Sequence, residues 1–115
     1  MINKNLQAIN INKNLQMKLI RESDRKTQLL ICMEEPAELI QAISKIQRLY
    51  QYPIGIDIRN ANEAINNLHE EIADVYICLL KLQILFGIDD SEIQQWINYK
   101  EEREFRRLMK NEKKL

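Results

Sequence analysis

The 115 residues predict an all-α fold, an antiparallel bundle of four to five helices, on three observations. Straight-chain helix formers (Leu, Lys, Glu, Gln, Arg, Met) are abundant, while strand-favouring valine occurs once. Only two glycines and two prolines interrupt the chain, too few for the turns of a sandwich or barrel or for a glycine-rich phosphate loop. Apolar residues recur at a period near 3.6 over most of the sequence.

Residues 1–20 form an asparagine-rich leader, with Ile2-Asn3-Lys4-Asn5-Leu6-Gln7 recurring as Ile11-Asn12-Lys13-Asn14-Leu15-Gln16. Asparagine is a poor helix former, so this segment is expected to fray or be weakly helical before Leu15. From Leu15 to Tyr50 the apolar period predicts one long helix, or two joined near Arg21 to Lys26. Pro36 falls inside it and deprives the Cys32 carbonyl of its helical donor, so a kink or restart is expected there. Tyr52-Pro53-Ile54-Gly55-Ile56-Asp57-Ile58-Arg59 reads as a loop. Asn60-Ala61-Asn62-Glu63 has the form of a capping box, opening a third helix that runs to Phe86 and stops at Gly87. Ser91, answered by Gln94, is expected to cap the last helix, and the charged tail, residues 110–115, to be loose. The main domain is therefore 21–109.

From Ile72 to Phe86, 12 of 15 residues are apolar and lie on every side of the helix. Burial on all sides needs more surface than three neighbouring helices of a short chain supply. A second copy is therefore expected on one flank, as a homodimer or a homotetramer built as a dimer of dimers.

The 17 basic and 17 acidic residues cancel, so no general positive field draws in nucleic acid or anionic lipid. Cys32 and Cys78 are far apart in sequence and there is one histidine, which excludes a disulfide scaffold and a thiolate zinc site within one chain. Without a signal-like or membrane-spanning run, a cytoplasmic protein is expected.

Charge is nonetheless uneven. Residues 30–75 hold eight acidic and three basic residues, a net −5. Glu35 and Glu38 stand three apart on one helix and Glu71 and Asp74 three apart on the next, so each pair projects from one face, about 60° apart around the axis. Both pairs adjoin apolar stretches, where an unpaired carboxylate is costly. In an antiparallel arrangement Glu38 comes opposite Glu71 and Glu35 opposite Asp74. Such a set is tolerated when a divalent cation neutralises it, and all-oxygen donors select Mg²⁺, Mn²⁺ or Ca²⁺ over zinc. The bland alternative is ordinary ion pairing on a solvated helix face.

Glu34-Glu35-Pro36-Ala37-Glu38-Leu39 followed by Glu70-Glu71-Ile72-Ala73-Asp74-Val75 resembles the paired EExxE and ExxD motifs of the MazG-like all-α nucleoside triphosphate pyrophosphohydrolases. Supporting positions are Gln28, the apolar run after Asp74, the turn Phe86-Gly87-Ile88-Asp89, and Lys100 with Arg103; the likeness covers roughly residues 21–107. Two features depart from the pattern: Pro36 between the first two acids, and a long separation of 32 residues between Glu38 and Glu71.

The resemblance implies a hydrolase that cleaves a (d)NTP to the monophosphate and pyrophosphate in nucleotide-pool house-cleaning. Mg²⁺, with Mn²⁺ as a substitute, would be held by Glu35, Glu38, Glu71 and Asp74. Glu34 is a candidate for water activation. Lys100 and Arg103, on one face of the last helix, are candidates for phosphate binding, Lys81 a further one, and Gln28 for contact with a base edge. The alternatives are a related dUTP, dCTP or phosphoribosyl-ATP pyrophosphatase, or a non-catalytic interaction protein on the same scaffold. Cys32 and Cys78 are expected to pack as small apolar residues, and Trp96 to belong to the core.

Overall fold

A computed structural model describes residues 9–51 and 58–114 as four helices, with no strand among the described residues. They are α1 (Lys13–Glu22), α2 (Arg25–Gln51), α3 (Ile58–Phe86) and α4 (Asp90–Lys114). The expectations for residues 1–8 and for the loop 52–57 lie outside the described residues. The chain divides into two compact units, Met1–Leu85 with α1 to α3 and Phe86–Leu115 with α4.

The periodic stretch from Leu15 to Tyr50 is two helices, separated at Ser23 and Asp24. Asn12 caps α1, its side chain accepting from the Leu15 N–H at 3.0 Å, so the helix starts two residues before Leu15. Asp24 opens α2 more firmly. Its carboxylate accepts from the Thr27 N–H at 2.8 Å and the Thr27 hydroxyl at 2.7 Å.

Helix α2 is continuous through Pro36. Restart is not needed, because one lost bond in a 27-residue helix is outweighed by the bonds on either side. The capping box at Asn60 is not used, since α3 begins at Ile58 and Asn60 is already helical. Gly87 ends α3 as expected, at φ +62°, the left-handed conformation that glycine adopts without a Cβ penalty. Helix α4 starts at Asp90, ahead of Ser91, with the Glu92 and Ile93 N–H groups bonded to the Asp89 carbonyl. The expected loose tail is helical as far as Lys114.

Within the first unit, α2 and α3 lie against each other through small residues. Cys32 and Ala42 of α2 and Ala64 and Cys78 of α3 are the buried apolar positions among the described residues. Small side chains let the backbones approach, so that the Cys32 thiol donates to the Cys78 carbonyl at 3.6 Å and the Cys78 thiol to that of Ile31 at 3.9 Å. Burial pushes the Cys78 thiol up to about 12, with Cys32 a second cause, which makes it an inert packing residue as the sequence implied.

Trp96 differs from expectation. It is 63% exposed on α4, with the Tyr99 ring edge-on at 5.9 Å.

Candidate functional site

Helical spacing sets three acids on the seam just beyond the cysteine pair. Glu35 lies three residues after Cys32, and Asp74 and Glu71 lie four and seven before Cys78, so each projects from the face that carries its cysteine. Carboxylate oxygens of Glu35, Glu71 and Asp74 all fall within 4.8 Å of one another, and each residue is half-buried. Glu38, more exposed, stands at the edge of the cluster, close enough for its charge to act on both Glu35 and Glu71.

The electrostatics follow from this crowding. Burial, and then the charges of Glu38 and Asp74, raise the Glu35 carboxyl to about 7. The Glu71 carboxyl is raised as well, by burial first and by Glu38 and Asp74 next. Glu35 Oε2 and Glu71 Oε2 are buried with no hydrogen-bond partner, which is costly for carboxylates unless something else satisfies them. All the donors are oxygens, two of them orphaned, so the set fits a hard divalent cation such as Mg²⁺ or Mn²⁺ and does not suit zinc.

Other sequence-nominated residues are distributed more widely. Gln28 and Lys81 are buried in the first unit, seven residues before Glu35 and seven after Asp74, with the cysteine positions in between. Gln28 Oε1 is also without a partner. Glu34 is exposed next to Glu35 and is not among the three acids that converge. Lys100 and Arg103 are exposed on α4, in the second unit.

Two cations escaped sequence reasoning. Lys45 and Arg48 line a hollow of about 430 Å³ that also reaches Glu38 and Glu71. The available signal was their position seven and ten residues after Glu38, on the same side of α2. What sequence could not supply was the depression itself, which depends on the small side chain of Ala42 between them and on Asn67 across the seam.

No protein-family model, curated protein or solved structure matches the chain.

Proposed function

We propose that the protein is a Mg²⁺-dependent nucleoside triphosphate pyrophosphohydrolase that converts a (d)NTP to the (d)NMP and pyrophosphate. The observation that carries this reading is the convergence of Glu35, Glu71 and Asp74 from two helices, with two orphaned carboxylate oxygens. The motif resemblance noted from sequence supplies the reaction; the geometry supplies a reason for it.

In this reading Glu35, Glu71 and Asp74 hold the cation, and Glu38 completes the set from the solvent edge. The bound cation supplies neutralisation of polyphosphate charge and lowers the pKa of water. The chain's own contribution is rigidity. Four acids fixed on two packed helices hold their geometry without reorganising as charge develops on the leaving group. Water adds its oxygen to the α-phosphorus and gives up a proton to solvent, the bond between that phosphorus and the α–β bridging oxygen breaks, and its electron pair leaves on that oxygen with pyrophosphate.

Self-association belongs to the same proposal. Leu30, Met33 and Ile40 on α2 and Ile72, Tyr76 and Leu79 on α3 are exposed apolar residues at helical spacing, the surface that a second copy would cover in a dimer or a dimer of dimers. Among the described residues no helix is long and apolar enough to cross a membrane.

The test is pyrophosphate release across a panel of canonical and modified NTPs and dNTPs with Mg²⁺, with Mn²⁺ and with EDTA. Metal-dependent release of pyrophosphate, lost by at least about a hundredfold in Glu38→Gln and Asp74→Asn with helical circular dichroism intact, is expected. Full activity in both variants removes the assignment.

A further inference from the structure

The hollow beside the acid cluster is lined by charges of both signs: Glu38 and Glu71 are acidic, Lys45 and Arg48 are basic, and Asn67 also lines it. On α2 the residues 38, 45 and 48 follow at intervals of seven and three, which keeps them on one side of the helix and sets Lys45 about 10 Å along the axis from Glu38.

If this were an ordinary solvated helix surface, the cations would pair with the carboxylates that share the hollow. They do not. Among the described residues neither Lys45 nor Arg48 forms an ion pair, and the Arg48 guanidinium instead donates to the Ser44 hydroxyl at 3.1 Å. That neutral bond orients the fork without cancelling its charge. The result is a pair of uncompensated positive groups about two helical turns from a set of crowded acids. Such a surface fits one ligand chemistry well: an extended polyanion, held by a divalent cation at the acids and by direct charge-assisted hydrogen bonds at the basic pair. A single phosphate is too short to use both.

We infer that this hollow is the subsite for the pyrophosphoryl end of the substrate, with Lys45 and Arg48 as its anion-binding residues. The inference rests on the pyrophosphohydrolase reading and adds to it. When the α–β bond breaks, negative charge accumulates on the departing pyrophosphate, and these two side chains stand where that charge arrives. They also provide a reason to prefer triphosphates, since a monophosphate leaves the basic pair unused. Sequence pattern nominates Lys100 and Arg103, in the second unit, for phosphate binding; Lys45 and Arg48 are two further cations, and they line the hollow that holds Glu38 and Glu71.

The experiment is calorimetric titration of the full chain, first with Mn²⁺ alone and then with inorganic pyrophosphate in saturating Mn²⁺, on the wild type, Lys45→Gln, Arg48→Gln and, as an exposed-cation control, Lys26→Gln. Unchanged Mn²⁺ affinity in every variant shows that the fold and the acid cluster are intact. Pyrophosphate affinity is expected to fall by about tenfold in Lys45→Gln and in Arg48→Gln, and to stay at the wild-type value in the control. Equal pyrophosphate affinity in all four proteins, with Mn²⁺ bound, overturns the subsite and leaves the metal site and the reaction standing. Failure of the wild type to bind Mn²⁺ overturns the metal-site reading, and the subsite with it.

Discussion

At the scale of single residues, Glu35 connects the geometry of the site with its pH dependence. Its carboxyl titrates near 7 in the folded chain against 4.5 for an unperturbed glutamate. A group whose folded pKa is raised contributes its full share of stability below the unfolded value and loses it as pH rises through the folded value. Without metal, then, Glu35 becomes a growing liability between about pH 4.5 and about pH 7. Glu35→Gln is expected to melt close to the wild type at pH 5 in EDTA and above it at pH 8. Saturating Mg²⁺ reverses the order at pH 8, because the cation stabilises the ionised carboxylate and has less to bind in the variant. Thermal melts at two pH values, with EDTA and with Mg²⁺, check this; a variant no more stable than the wild type at pH 8 in EDTA refutes it. Asp24 has the opposite sign. Its hydrogen bonds from Thr27 hold the carboxyl below the usual value, so its stabilisation is present above pH 3.8 and lost as pH falls through the lowered value.

At the scale of elements, the helices and the acid seam were legible from helical spacing: apolar residues recur every three or four positions along α2, α3 carries an apolar run too long for a strand, and each acid pair is three residues apart. Boundaries were less legible, for reasons visible at each one. Asn60 has a sound capping sequence, yet extending an existing helix by two residues to Ile58 costs little. Ser91 was a plausible start, but Asp90 and Glu92 put acidic side chains in the first turn, where the macrodipole favours them. The charged tail reads as loose only if charge is equated with disorder. Lysine and glutamate are good helix formers, so α4 continues to Lys114. The basic hollow was hidden because it is a tertiary feature of two helices. Two substitutions test the elements. Pro36→Ala restores a donor for the Cys32 carbonyl and is expected to stabilise α2 by up to about 3 kcal/mol by urea denaturation; no gain means that the surrounding helix has already absorbed the cost. Gly87→Ala meets no atom within 4 Å at its new Cβ but must still adopt φ +62°, so a loss of about 1–2 kcal/mol is expected from backbone conformation alone.

At the scale of the whole molecule, the amount of apolar surface left exposed is the dominant fact. Among the described residues no large side chain is fully buried, and the buried apolar positions are two alanines and two cysteines. Burying Cys or Ala removes far less apolar area than burying Leu or Ile, and the conformational entropy of ordering four helices has to be met from some source. Met33 is 70% exposed and Leu79 53%, on helices that also carry the proposed metal ligands. Folding is therefore expected to be coupled to association, and the acid cluster to depend on it. Sedimentation should give a dimer or tetramer, and the melting temperature should rise with protein concentration, as it does when a partner copy binds only the folded state. Leu79→Glu discriminates sharply. On a free monomer surface such a change stays within about 0.5 kcal/mol. At an interface it places an unpaired charge against apolar residues, so the variant should sediment as a monomer, melt well below the wild type, and lose Mn²⁺ affinity even though residue 79 is not a ligand. A wild type that sediments as a monomer at high micromolar concentration, with a melting temperature independent of concentration, removes the second copy from the proposal.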